Sequence, residues 1–222
     1  MKLTEQSFWL GQKVDGNKYV YSKFTAEDLV LDAILRKGVK AKIMRVGNLS
    51  ARQTDGEFQI NFNSNNTMAM LRAYALLGVA PYEIVNTSIE FSPIDEVAHT
   101  ILLLSETPDA CVVFHPYSVQ RHYMYEILKV FENIGLNVRF VEKEEFMQVV
   151  SRAFENPALA ELMRPLMAYD MNNGFEMRNI EFENNYTTEV LFRLGYSWPH
   201  KEPPYFVRNY KALAGLGYFD VN

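Results

Sequence analysis

Tyr19 and Lys23 lie four positions apart in the run Tyr19-Val20-Tyr21-Ser22-Lys23-Phe24-Thr25-Ala26-Glu27. If this run is helical, both side chains leave the same face one turn apart. An ammonium beside a phenol favours the phenolate and draws a tyrosine down from about 10 towards working pH. Tyr19 then becomes a usable proton donor. The reaction that wants such a donor is hydride addition to a carbonyl, where negative charge develops on oxygen as hydride arrives from a nicotinamide. Lys23 is also placed to hold the ribose hydroxyls of that cofactor. With 13 tyrosines in the chain, the same spacing also arises between two solvated side chains that share no task, so the pair by itself leaves both readings open.

Other chemistries find less support. His99, His115, His122 and His200 are scattered, with no His-x-x-x-His or Glu-x-x-His pair, so no metal site is expected. The single cysteine, Cys111, cannot form an internal disulfide and sits in the apolar run Cys111-Val112-Val113-Phe114, which reads as a buried strand. No serine lies in a Gly-x-Ser-x-Gly elbow. The 22 Lys+Arg against 27 Asp+Glu give a net charge of -5, and no long basic block is present. Nucleic acid and anionic membrane surfaces are therefore not expected partners. No stretch approaches the about 18 to 20 apolar residues that cross a bilayer, and a chain with one thiol suits a reducing cytoplasm. Its 222 residues at 48% hydrophobic and 22% charged suit a folded globular chain.

Elements that would position Tyr19 and Lys23 follow from periodicity and breakers. Residues 18–37 read as a helix stopped by Gly38, with Arg36 and Lys37 at its negative end. Residues 40–46 read as a strand broken by Gly47-Asn48. After an asparagine-rich stretch (61–66), residues 68–77 form a helix ending at Gly78, and residues 88–92 an extended run. Pro93 is expected in the first turn of a helix to residue 104, with Asp95 and Glu96 favouring its N-terminus. A helix over 119–134 closes at Gly135 before a strand at 137–141. Helix alternating with strand predicts an α/β sheet with helical cover. Beyond residue 143 the strands fade. Helices are expected at 143–154, at 157–169 (Asn156 as N-cap, Pro165 bending or interrupting it), at 188–194 with Thr187 as cap, and from Pro204 to about residue 214. A soft boundary near residue 116 separates 1–115 from a mostly helical lobe, 116–222.

The run Tyr-x-x-Ser-Lys-Phe-x-Ala-Glu, then Met44-Arg45-Val46-Gly47-Asn48-Leu49, then Phe91-Ser92-Pro93-Ile94-Asp95-Glu96-Val97-Ala98, resembles the extended short-chain dehydrogenase/reductase superfamily. More narrowly, Gly11-Gln12, Gly56-Glu57-Phe58-Gln59-Ile60-Asn61-Phe62, Phe114-His115-Pro116-Tyr117 and the ending from Tyr186 to Phe219 resemble the thioester reductase domains that terminate nonribosomal peptide synthetases, polyketide synthases and carboxylic acid reductases. The resemblance implies an α/β fold, the C-terminal portion of a Rossmann-like extended short-chain reductase with a mostly helical substrate lobe. It places Tyr19 and Lys23 as catalytic and cofactor-binding residues and Gly47-Asn48 in the turn beside the nicotinamide, although an ordinary strand-end turn explains Gly47 as well. Asp95 fits a motif that packs the substrate side onto the core, or simply caps its helix.

The implied reaction is reduction of a carrier-bound acyl or peptidyl thioester by NADPH, with NADH possible, to an aldehyde or alcohol. The implied partners are a carrier protein bearing the thioester on its phosphopantetheine arm, and the missing N-terminal half of the same domain. The family's Gly-rich pyrophosphate turn is absent, since Gly11-Gln12-Lys13-Val14-Asp15-Gly16 is not a G-x-x-G-x-x-G turn after a strand. The chain is therefore expected to begin partway through the domain and to be inactive in isolation. Met163, Met167, Tyr169, Met171, Phe175, Met177 and Trp198 either line an acyl channel or pack a core; Arg36, Lys37, Lys40 and Lys42 either meet an acidic carrier or are solvated. Two alternatives stay open: another extended short-chain reductase such as a nucleotide-sugar epimerase or dehydratase, using Arg178, Arg193 or Arg208 on a diphosphate, and a non-catalytic carrier-docking or dinucleotide-sensing module.

Overall fold

The computed structural model describes residues 2–11, 16, 18–58, 65–171, 181–200 and 203–220. Its contacts cluster into two compact units, each assembled from three separate stretches. One comprises Met1–Gly47, Val97–Tyr117 and Ile180–Ser197; the other comprises Asn48–Glu96, Ser118–Asn179 and Trp198–Asn222. The chain thus crosses between units at five points.

In the first unit, β1 (Lys2–Leu3) leads to α1 (Lys18–Lys37). Gly38 ends α1 with φ 64°, a backbone state a side chain disfavours, and its N–H reaches Ile34 O at 3.1 Å. β2 (Ile43–Met44) then pairs in parallel with β7 (Val113–Phe114). Flanking bonds from Ile43 N to Val112 O (2.7 Å) and Arg45 N to Phe114 O (2.8 Å) lengthen that ladder. Between them runs α3 (Ile94–Ser105), which buries Val97, Thr100 and Leu104. β10 (Glu181–Phe182) lies parallel to β1, and α7 (Asn185–Arg193) follows it. This unit's interior mixes apolar Val97, Leu104, Phe114 and Leu191 with polar Glu5, His115, Asn184 and Thr187.

The second unit holds the larger apolar core. α2 (Asn66–Leu77) starts where Asn65 Oδ1 accepts from Met68 N at 3.0 Å and stops at left-handed Gly78. It buries Met68, Leu71 and Tyr74 together with residues of α4 (Met124–Lys129), α5 (Lys143–Phe154), α6 (Pro157–Met171) and α8 (Pro203–Gly215). Phe131 stacks on Tyr210 with centroids 4.3 Å apart. Burying each such large apolar side chain contributes about 1.5 to 3 kcal/mol. The strands β3 (Leu49–Ser50) with β6 (Ser92–Pro93) and β4 (Val79–Pro81) with β9 (Arg139–Val141) pair in parallel, while β5 (Ser88–Glu90) pairs antiparallel with β8 (Arg121–Tyr123). Parallel pairs interleaved with helices are the α/β arrangement the residue pattern implied.

Several local expectations are corrected. The segment 119–134 is not one helix: Arg121–Tyr123 forms β8 against β5, α4 is short, and Val130–Ile134 tightens into a 3₁₀ turn before Gly135. Pro93 closes β6 and the helix begins after it. Thr187 is inside α7, not its cap, because its hydroxyl is engaged by Glu5. Cys111 precedes β7 and is half-buried. α6 continues through Pro165 to Met171.

Candidate active site

Tyr19 and Lys23 face one another on α1. Lys23 Nζ lies over the Tyr19 ring, 5.4 Å from its centroid, and the tyrosine is 70% exposed. Such an exposed cation–π contact is worth about 0.5 to 1 kcal/mol. The ammonium rests against the ring face. One turn back, Ser22 Oγ donates to Tyr19 O at 2.8 Å.

One further turn along α1, Glu27 meets a group the sequence reading missed. Arg45, at the end of β2, donates from Nε to both Glu27 carboxylate oxygens (3.1 and 3.0 Å) and from Nη2 to Oε1. Its other donors reach Thr4 O (3.2 Å), Ser7 O (2.7 Å) and, from Nη1, His115 Nε2 (3.0 Å). Arginine can only donate, so His115 Nε2 accepts and Nδ1 carries the hydrogen, which points to Glu183 O at 2.6 Å. Burial, with Arg45 adding to it, holds the His115 imidazole below its ordinary range. Thr187 Oγ1 accepts from His115 N (2.7 Å) and donates to Glu5 Oε1 (2.7 Å). The available signal was the position of Glu27, four residues beyond Lys23; its partner Arg45 carries no spacing that marks it.

Gly47, half-buried, ends the first stretch of the first unit, and Asn48 opens the first stretch of the second. Asn48 N donates to Glu90 Oε2 (2.8 Å) and its carbonyl accepts from Ser92 N (2.8 Å). Ser92 Oγ donates to Glu90 and accepts from Ser118 N at 2.8 Å. A buried carboxylate thus pins the Asn48 backbone while its side chain stays exposed. Asp95 does more than cap: it accepts from Gln53 N (2.9 Å), Thr54 N (3.3 Å) and Thr54 Oγ1 (3.2 Å) as well as Glu96 N (3.1 Å). It ties the 53–54 turn to the start of α3. Nearby, Gly56 has φ 79°, and a Cβ there would lie 2.9 Å from Arg208 main chain.

Among the remaining candidates, Tyr186 hydrogen-bonds Cys111 and is pushed up to about 12 by that bond. Arg36 pairs with Asp32 (2.5 Å), Lys40 with Asp109 (2.8 Å), and Lys42 donates to Pro108 O and Cys111 O (both 3.0 Å). These partners occupy most of the basic cluster. Arg193 pairs with Glu189 at 2.8 Å and Arg208 donates to Gln53 O at 3.2 Å. Met163 is a core residue and Trp198 is half-buried. Arg178, Phe175, Met177 and residues 59–62 lie outside the described residues, as do the side chains of Met167, Tyr169 and Met171. Among the described residues no three His, Cys, Asp or Glu side chains are grouped to hold a metal, and no helix is long and apolar enough to cross a membrane.

Residues 2–101 match the NAD-binding family model described as male sterility protein. No curated protein matches the chain in sequence. Among solved structures, the chain is similar to a thiolation-reductase di-domain from an archaeal non-ribosomal peptide synthetase, with 32% identity, TM-score 0.86, and 99% of this chain covering 45% of that one. It is also similar to the terminal R domain from the myxalamid PKS-NRPS biosynthetic pathway, at 20% identity and TM-score 0.82 over 100% of this chain and 56% of that one. A reductase domain of a nonribosomal peptide synthetase from Mycobacterium tuberculosis matches at 17% identity and TM-score 0.66, over 93% of this chain and 53% of that one. The chain spans about half the length of these structures.

Proposed function

We propose that the chain contributes the proton donor of a thioester reductase that uses NADPH, in a reductase domain of the extended short-chain dehydrogenase/reductase type; its match to an NAD-binding family model and its likeness to the archaeal thiolation-reductase di-domain support that reading. The substrate in this reading is an acyl or peptidyl thioester on the phosphopantetheine arm of a carrier protein. The observation that carries it is the contact of Lys23 with the exposed ring of Tyr19 on α1.

When bound, a reduced nicotinamide would supply the hydride that the thioester carbon accepts. As the carbonyl oxygen gains charge, Tyr19 delivers the phenol proton to it, and the Lys23 ammonium offsets the charge left on the tyrosine oxygen. The resulting thiohemiacetal loses its hydroxyl proton and expels the carrier thiol, leaving an aldehyde; a second round gives the alcohol. Lys23 also holds the ribose hydroxyls, and Gly47 and Asn48 form the turn beside the ring. The pyrophosphate needs a Gly-rich turn that these 222 residues do not contain.

The test uses a polypeptide extended upstream to include that turn, assayed with NADPH and a carrier-bound acyl thioester. Tyr19→Phe is expected to lower the rate by about 10²-fold to 10⁴-fold, the usual worth of a positioned acid, while leaving carrier binding intact. Unchanged thioester reduction in that variant would remove the assignment. Carrier binding without turnover in the unmutated protein would instead favour a docking module.

A further inference from the structure

α1 presents Tyr19, Lys23 and Glu27 at successive turns, yet none of its side chains is fully buried. Its apolar side chains are at most half-buried, with Phe24 against Phe8 and Trp9. Its deepest polar contact is Glu27, whose side chain is 16% exposed against 19% for Arg45. Arg45 is held in turn by two backbone carbonyls of the N-terminal segment and by His115, which is 2% exposed.

We propose that Arg45 is a positioning residue: by bridging Glu27 to the neutral form of His115, it fixes the rotation of α1 and so the direction in which Tyr19 and Lys23 face, and protonation of His115 releases it. The inference rests on the reading of Tyr19 and Lys23 given above. The chemistry is a matter of donors. A protonated imidazole would turn an N–H towards the Arg45 guanidinium, two donors and two positive charges 3.0 Å apart. The groups facing His115 are Arg45 from β2, Glu5 from the N-terminal segment, Glu27 from α1, the Glu183 carbonyl after β10, Thr187 from α7 and the Tyr117 ring. Glu5 Oε1 accepts from Thr187, and both Glu27 oxygens accept from Arg45.

Trp9 provides the reporter, since it packs on Phe24 of α1 with centroids 5.5 Å apart, beside the Phe8–Phe24 stack at 4.7 Å. In the full chain carrying Trp198→Phe, Trp9 emission is followed from neutral to acid pH, alongside ring-to-ring NMR cross-peaks of Phe8 and Phe24. The wild-type background is expected to show a reversible acid transition in both signals. His115→Gln, which keeps a neutral acceptor for Arg45 and a donor for Glu183 O, is expected to abolish the transition while leaving the neutral-pH signals in place. Arg45→Met should lose the Phe8–Phe24 cross-peaks at neutral pH; Arg45→Lys, which retains the charge without the fork, should restore them only in part. Trp198 emission, read in a Trp9→Phe background, separates loss of α1 positioning from general unfolding. The same acid transition in His115→Gln, or intact cross-peaks in Arg45→Met, would overturn the proposal. These signals need no turnover, so failure of the Tyr19→Phe assay alone would refute the reductase reading and leave the positioning result standing.

Discussion

Thr187→Val replaces a buried hydroxyl by a methyl of nearly the same shape, and so tests how far the first unit depends on its polar interior. The hydroxyl donates to the Glu5 carboxylate at 2.7 Å and accepts from His115 N at 2.7 Å. Losing a bond to a charged acceptor costs about 1.5 to 3 kcal/mol, and leaving a buried N–H without a partner costs about 1 to 3 more. The expected destabilisation is therefore about 2.5 to 6 kcal/mol, although the Thr187 N–H still reaches Glu5 at 2.8 Å. Thr187→Ser, which keeps the hydroxyl and loses one methyl, should cost only about 1 kcal/mol. Urea unfolding followed by Trp9 emission with Trp198 replaced by Phe measures both. Equal losses for valine and serine would show that the methyl matters and the bridge does not, and the reasoning would fail.

Gly56→Ala should destabilise the second unit by about 2 to 5 kcal/mol, combining a left-handed backbone with a Cβ pressed against Arg208 main chain; the urea midpoint read by Trp198 checks it. For His115 the folded state lowers the pKa, so the unfolded chain takes up its proton first as pH falls through about 6.5. Its contribution to stability is complete above that pH and is lost below it, until the folded imidazole also protonates, with a slope of at most about 1.4 kcal/mol per pH unit. Comparing urea stability of wild type and His115→Gln across this range isolates the effect; parallel curves would contradict it.

Elements with strong punctuation were legible in the residues. α1 and α2 end at Gly38 and Gly78, and α5 coincides with the expected 143–154, because caps and helical spacing are local signals. The region 119–134 misled because His122 and its neighbours pair with β5, and tertiary pairing overrode helical periodicity. β10 was invisible for a similar reason: two residues gain strand geometry only from Lys2 and Leu3, nearly the whole chain away. Of the candidate site, the Tyr19 and Lys23 contact followed from their one-turn spacing. The Arg45 bridge did not, since Glu27, Arg45 and His115 come from three stretches that only the fold assembles.

The bond between Glu5 and Thr187 joins residues 182 positions apart. On a ribosome, Glu5 must therefore wait, solvated, through the synthesis of most of the chain before its acceptor atoms can be buried. Closing so long a loop costs entropy that local contacts do not recover early, which places assembly of the Tyr19-bearing unit late. A nascent chain paused before residue 187 would lack both Thr187 and the α8 side chains that complete the core around α2, so neither unit's interior could close at that stage.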